Sequence, residues 1–333
     1  MANRYRTFSY SIVLLAFLTS ISLAGPHDRD KKQIRLGFIG KSTSNPVFIA
    51  AQSGAHVAAK ELGDKYNIEI IIEWKTPASE DAQEQAKAIE QFTRSNIAGY
   101  ALACSDDETL TPFINKSVDH GIPVVCFDAD APASKRFAFY GTDNVEFGHM
   151  LMKELAQVMS EKGVIAISGG NKHAPNLQLR IEGIKEELKN YPAMKLLPKG
   201  EVYHDESPKK AAKTVMATQK SYPQIEGWIF VGGWPLFEEH GITWKPGSVK
   251  IVAADGLPKE LSYIESGHAQ VLIAQNCFLW GYKSVELLIN KIINKQVPAK
   301  QLNNGMLLRV TSANLDEWSM NWKKWLLKEA LNK

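Results

Sequence analysis

From residue 34 onward the chain alternates short, almost uninterrupted apolar runs with longer stretches of helical periodicity. No other feature constrains its fold as strongly. The runs are IRLGFIG (34–40), IEIIIEW (68–74), GYALAC (99–104), IPVVCFD (122–128), RFAFYGTD (136–143), VIAISGG (164–170), GWIFVGG (227–233), VKIVAADG (249–256) and AQVLIAQ (269–275). Continuous apolarity rich in β-branched and aromatic residues suits parallel strands, whose two faces are both covered by helices. Between the runs, residues 46–65 place Val47, Ala50, Ala51, Gly54, Val57, Ala58 and Leu62 on one stripe. Residues 80–94, 146–159, 177–188, 208–220 and 280–293 read the same way. The alternation predicts a doubly wound α/β architecture with right-handed crossovers. A chain of 333 residues, 44% hydrophobic, has room for two such units, the first ending near Asp143.

In open sheets of this kind ligands sit beyond the carboxyl ends of the strands. Those ends are polar here: Lys41-Ser42, Ser105-Asp106-Asp107, Asp128-Ala129-Asp130, Gly169-Gly170, Gly232-Gly233-Trp234, Asp255-Gly256 and Gln275-Asn276. Together they describe a cleft lined by hydrogen-bonding groups. Taken alone, the acidic pair Asp128 and Asp130 fits acid–base chemistry, half a metal site, or a clamp for hydroxyl groups. Neither GxGxxG nor GxxxxGK[ST] follows the first run, so dinucleotide and P-loop chemistry have no support. There is no CxxC or HExxH, and no metal or other cofactor is expected.

The N-terminus reads differently. Arg4 and Arg6, an apolar run through Leu18 and the small-x-small pattern Ser22-Leu23-Ala24 form a secretory leader over 1–24. Its apolar stretch falls short of the about 20 residues that span a bilayer. Its removal takes two of the 39 basic residues and none of the 36 acidic ones, lowering the formal charge from +3 to +1. A near-neutral chain without basic clusters does not suit nucleic acid, which demands a positive face. The three cysteines, Cys104, Cys126 and Cys277, are too few and too scattered for a disulfide framework.

Five motifs in order then carry a resemblance: IRLGFIGKSTSNPVF, GIPVVCFDADAPASKRFAFYGTDN, RIEGIKEEL (180–188), VAADGLP (252–258) and IAQNCFLWGYKSVE (273–286). From about Ile34 to about Trp325 the chain resembles the class I periplasmic sugar-binding proteins of ABC transporters, the ribose-, glucose- and galactose-binding group. The resemblance implies two doubly wound parallel-sheet lobes joined by a hinge, with a ligand cleft between them. It places 33–141 plus 276–306 in an N-terminal lobe and 142–275 plus 307–333 in a C-terminal lobe. It further implies a monomeric protein of the periplasm that delivers a sugar or sugar-like polyol to an ABC permease. The alternative role is to present such a ligand, autoinducer-2-like compounds included, to a chemoreceptor or sensor kinase.

Carried over by position, the resemblance implies ligand contacts from Asn45, Asp128, Arg180, Asp255 and Gln275. Lys41 and Asp130 lie beside them, and Phe48 and Trp234 offer rings to stack on a sugar. Carboxylate, guanidinium and amide groups each engage neighbouring hydroxyls in pairs, which suits such a ligand. Plainer roles stand beside these: Asn45 as a helix N-cap, Phe48 and Trp234 as core, Arg180 as a solvated helix residue, Asp106 as a cap, Asp130 as a turn-former. Tyr203-His204-Asp205 falls where the family often places a polar or aromatic contact. Lys41, Ala129 and Gly233 depart from the ribose-binding pattern, so ribose itself is not implied. No catalysis is expected. A hydrolase would need a carboxylic acid of raised pKa, whereas Arg180 near Asp128 and Asp255 favours their ionised forms.

Overall fold

The computed structural model describes residues 31–43, 45–204 and 207–326. The leader expected at 1–24 lies outside them. The first unit is laid down as β1 (Lys32–Ile39), α1 (Pro46–Tyr66), β2 (Ile68–Trp74), α2 (Ala82–Arg94), β3 (Gly99–Leu102), α3 (Asp107–Asp119), β4 (Val124–Asp128) and β5 (Ala138–Gly141). The second follows as α4 (Asn144–Val158), β6 (Gly163–Ser168), α5 (Pro175–Leu188), β7 (Met194–Val202), α6 (Pro208–Ser221), β8 (Gly227–Phe230), β9 (Lys250–Asp255), α7 (Leu261–Glu265) and β10 (Val271–Gln275). The chain closes with α8 (Cys277–Ile292), β11 (Leu302–Asn304), β12 (Leu307–Val310) and α9 (Leu315–Leu326).

The two six-stranded sheets share one winding order. The first runs β2-β1-β3-β4-β5-β11 and the second β7-β6-β8-β9-β10-β12. This is the doubly wound arrangement expected from the alternation. Each sheet reverses its winding after its first strand, leaving a crevice between β1 and β3 and another between β6 and β8. One departure from an all-parallel reading is β12, which pairs antiparallel with β10. Strand β7 pairs in parallel with β6, but sequence periodicity does not reveal it. It lies at the edge, carries Pro198 and Gly200, and shifts register against β6 between Ile165 and Ile167. Proline is tolerated at an edge because its missing N–H faces no partner.

Polar residues start the helices of the first sheet. Asn45, Asp81 and Asp106 cap α1, α2 and α3, accepting hydrogen bonds from Val47 (3.2 Å), Gln83 (2.8 Å) and Thr109 (2.7 Å). Each satisfies a donor that the first helical turn leaves unpaired. Helices α1 and α8 then cross in direct backbone contact. A Cβ on Gly54 would collide with the Phe278 carbonyl, and one on Gly281 with that of Ala51. The second sheet repeats the device, Gly148 of α4 lying on the Arg180 carbonyl and Gly183 of α5 on that of Val145.

Three connections run from elements of one sheet to elements of the other, and they lie side by side. Gly305 N–H donates to the Gly141 carbonyl (2.7 Å), Asn304 Nδ2 to Asp143 Oδ2 (3.3 Å), and Thr142 Oγ1 to Gln275 Oε1 (2.5 Å). All three cysteines are free and buried.

The glycine contact between α1 and α8 gives a stability prediction. Gly281→Ala, which on an exposed helix would stabilise, is expected to destabilise the protein by about 1–3 kcal/mol through overpacking. Urea unfolding should show a lower midpoint at unchanged slope. An equal or higher midpoint would mean that the helices do not touch there.

Candidate functional site

Two carboxylates end equivalent central strands, Asp128 on β4 and Asp255 on β9, and both adopt left-handed backbone, with φ of 59° and 88°. Outside glycine this conformation is uncommon, though Asp tolerates it better than most residues, and at strand ends it often marks a functional position.

Asp255 is held from three directions. Its Oδ2 accepts from the Gly233 N–H (3.1 Å) and its Oδ1 from Gln275 Nε2 (3.1 Å), with Arg180 Nη1 at 3.7 Å from Oδ1. Arg180 is itself fixed. Its Nε donates to Asn144 Oδ1 (3.0 Å), its Nη1 to the Val231 carbonyl (2.6 Å), and its guanidinium lies 4.2 Å from the centre of the Phe147 ring. Only 5% exposed, Arg180 is not a solvated helix residue. The close α4–α5 contact brings it in, since Gly148 admits its carbonyl.

Asp128 belongs to the first sheet yet feels Arg180 and Asp255 of the second. Burial raises the pKa of its carboxyl above the ordinary value, while Lys41 and Arg180 act to lower it and Glu80 and Asp255 to raise it. Burial works against charge on Lys41 as well, but Asp128 and Glu80 outweigh it and hold the ammonium above its ordinary pKa. Lys41 Nζ stands 3.6 Å from Glu80 Oε1. The strand ends of the two sheets thus share an electrostatic environment of two cations and three carboxylates. Among the described residues no side-chain hydrogen bond engages Asp128, which leaves its carboxylate an acceptor for hydroxyl donors.

Trp234 covers the glycine turns after β6 and β8. Side chains on Gly170 or Gly232 would strike its ring. His204 meets the same ring edge-on at 5.7 Å between centroids and pairs through Nε2 with Ser168 Oγ (3.0 Å). Asp205 lies outside the described residues. The remaining candidates are engaged elsewhere. Asn45 is the exposed cap of α1. Phe48, 3% exposed, packs against Gly40 and edge-on to Phe127 at 6.4 Å. Asp130 gives both carboxylate oxygens to Arg136, whose Nη2 is 2.5 Å from Oδ2, and accepts from the Ala131 N–H (2.8 Å).

Sequence reading overlooked Gln85 and Glu260. Gln85, completely buried on α2, donates to the carbonyls of Gly40 (2.9 Å) and Ala103 (2.8 Å) and accepts from Ser105 (3.0 Å). It therefore ties together the ends of β1 and β3 at the first crevice. A lone Gln inside an amphipathic helix carries no signal of such a role. Glu260 fills the space where a Gly233 side chain would stand, its Oε1 lying 2.5 Å from the Cβ position, which accounts for glycine there.

Residues 36–296 match the periplasmic binding protein domain. The chain belongs to this family. Among similar periplasmic binding proteins, the D-allose-binding periplasmic protein of Escherichia coli is 24% identical over 86% of this chain and 91% of its own length. The D-ribose/D-allose-binding protein of Pseudomonas aeruginosa is 25% identical over 54% of this chain, a match that spans 57% of that protein. In structure, an ABC transporter solute binding protein from Burkholderia graminis, in complex with D-arabinose, superposes with a TM-score of 0.76 at 24% identity. That match covers 86% of this chain and 98% of the other. The two-sheet α/β fold is the one this family uses.

The Asp130–Arg136 pair carries a prediction. Arg136→Ala leaves a largely buried carboxylate unpaired and is expected to lower stability by about 3 kcal/mol, measured by urea unfolding. The double variant Asp130→Asn/Arg136→Met should recover most of that loss. A single variant as stable as the parent would show the pair to be idle.

Proposed function

We propose that this chain is an exported solute-binding protein that captures a neutral sugar or polyol between two lobes and delivers it to an ABC permease. The observation that carries the reading is the pair of strand-end carboxylates, Asp128 and Asp255. They come from different sheets, share the field of Arg180, and Asp255 is fixed by Gly233 and Gln275. Two carboxylates, a guanidinium and an amide suit a ligand bearing several hydroxyls, each of which donates and accepts. A cleft holding Lys41 and Arg180 against Glu80, Asp128 and Asp255 is nearly balanced in charge, which favours an uncharged ligand over a sugar acid or phosphate.

In this reading Asp128, Arg180, Asp255, Gln275 and Lys41 supply the polar contacts, and Trp234 stacks on the ring. Asn45, Phe48 and Asp130 shape the cleft as cap, core and turn. The lobes are 33–141 plus 276–306 and 142–275 plus 307–333, and they close about the three adjacent connections by hinge motion. The leader at 1–24 directs export to the periplasm, and the protein acts as a monomer without cofactor or catalysis. Support for the ligand class comes from the relatives, named for allose and ribose, and from the structural neighbour bound to D-arabinose.

The test is a thermal-shift screen over D-allose, D-ribose, D-arabinose, D-glucose, myo-inositol and autoinducer-2. A sugar at one hundred times its dissociation constant should add about 2.7 kcal/mol of stability. Asp255→Ala is expected to abolish the shift while leaving the unliganded melting temperature within a few degrees of the parent. Retained binding in that variant removes Asp255 from the site, and conversion of the sugar to product would replace binding with catalysis.

A further inference from the structure

The turn that presents Asp255 is built from groups outside the ligand-facing set. Asp255 and Gly256 are consecutive left-handed residues, at φ 88° and 64°. For a non-glycine residue this conformation is strained and persists only where its surroundings enforce it. Three buried side chains do so. The Gly256 carbonyl accepts from the indole N–H groups of Trp318 (2.7 Å) and Trp322 (2.9 Å), which together satisfy both lone pairs of one oxygen. Fully buried Glu260 accepts the Leu257 N–H (2.5 Å) and lies near that of Gly256. Its other oxygen, Oε1, has no hydrogen bond among the described residues and stands against Gly233, whose N–H holds Asp255. Burial, with Asp255 nearby, pushes the Glu260 carboxyl well above its ordinary pKa.

The helix that supplies the indoles is anchored in its turn. Trp325 of α9 stacks on Phe278 of α8 at 5.9 Å and 19°, and its carbonyl accepts from Ser53 Oγ of α1 (2.5 Å). Trp322 and Trp325 meet edge to face at 5.2 Å. Through α9, the Asp255 turn of the second sheet is tied to the helices that cover the first.

Resting on the reading of Asp255 as a ligand contact, we propose that Trp318, Trp322 and Glu260 are positioning residues. They aim the Asp255 carboxylate and thereby set affinity for a hydroxylated ligand. Simple core packing is the competing role. Trp→Phe separates the two, because it removes the N–H while keeping most of the buried ring.

The experiment compares Trp318→Phe/Trp322→Phe, Glu260→Gln and Glu260→Ala with the parent in crystal structures without ligand and in titrations with D-allose, D-ribose and D-arabinose. The tryptophan double variant is expected to fold, to move the Asp255 carboxylate off the Gly233 N–H, and to bind the tightest of these sugars at least about tenfold more weakly. Glu260→Gln, which still offers an oxygen to Leu257, should keep parental affinity, while Glu260→Ala loses it. In an Asp255→Asn background the tryptophan changes should add little, because the group they aim is already altered. An unmoved Asp255, or an equal loss in both backgrounds, overturns the proposal in favour of packing alone. If Asp255→Asn itself binds as the parent does, the ligand reading fails, and the position of Asp255 in the unliganded variant still decides this one.

Discussion

A carboxylate at a strand end is held in one orientation only where fixed donors engage its oxygens. Asp255 meets that condition with a backbone N–H from Gly233, an amide from Gln275 and a guanidinium from Arg180. Much of the second unit serves this one group. The glycine contact between α4 and α5 admits Arg180, Val231 and Asn144 hold its guanidinium, and the turn after β9 holds Asp255 in left-handed backbone. The donors are set by packing before any ligand arrives, which is how a site avoids the entropic cost of organising itself on binding.

Asp128 occupies the corresponding strand end in the first unit but is finished differently. It lacks the ring of donors around Asp255, and burial raises its carboxyl pKa although Lys41 and Arg180 counter it. One carboxylate is thus satisfied by the protein and the other remains an acceptor. A ligand hydroxyl donating to Asp128 would supply what the fold withholds there, and Arg180, within reach of both carboxylates electrostatically, couples the sheets across the gap. The adjacency of the three connections gives this arrangement a mechanical basis. In the proposed hinge reading, a rotation confined to Thr142, Asn276 and Gly305 would change the distance between the two strand-end sets while leaving each intact.

The sequence revealed the sheets well and their margins poorly. Buried parallel strands announce themselves by unbroken apolarity, so β1, β4, β9 and β10 are legible from composition alone. Strand β7 is not, because an edge strand tolerates Pro198, Lys199 and Gly200, and those residues erase its pattern. In β11 and β12, Asn303, Asn304 and Arg309 break what would otherwise read as an apolar run. In the site, motif and position marked Arg180, Asp255 and Gln275, which the fold does gather. They set Asp128 ahead of Asp130, which also read as a turn-former, but only the partner of Asp130, Arg136, reveals that its oxygens are occupied. Gln85, Glu260, Trp318 and Trp322 lay below detection for a related reason. Gln85, Trp318 and Trp322 hydrogen-bond to backbone groups far away in sequence, and Glu260, bonded locally to Leu257, is packed against the distant Gly233; no local pattern encodes such contacts.

The central claim is that Asp128 and Asp255, from different sheets, grasp one hydroxylated ligand between them. A crystal structure with the tightest-binding sugar of the allose, ribose and arabinose set tests it directly. The account predicts ligand hydroxyls within about 3 Å of both carboxylates, with Arg180 and Gln275 on the same molecule and Trp234 against its ring. A sugar bound to one sheet alone, or away from Asp255, would contradict it.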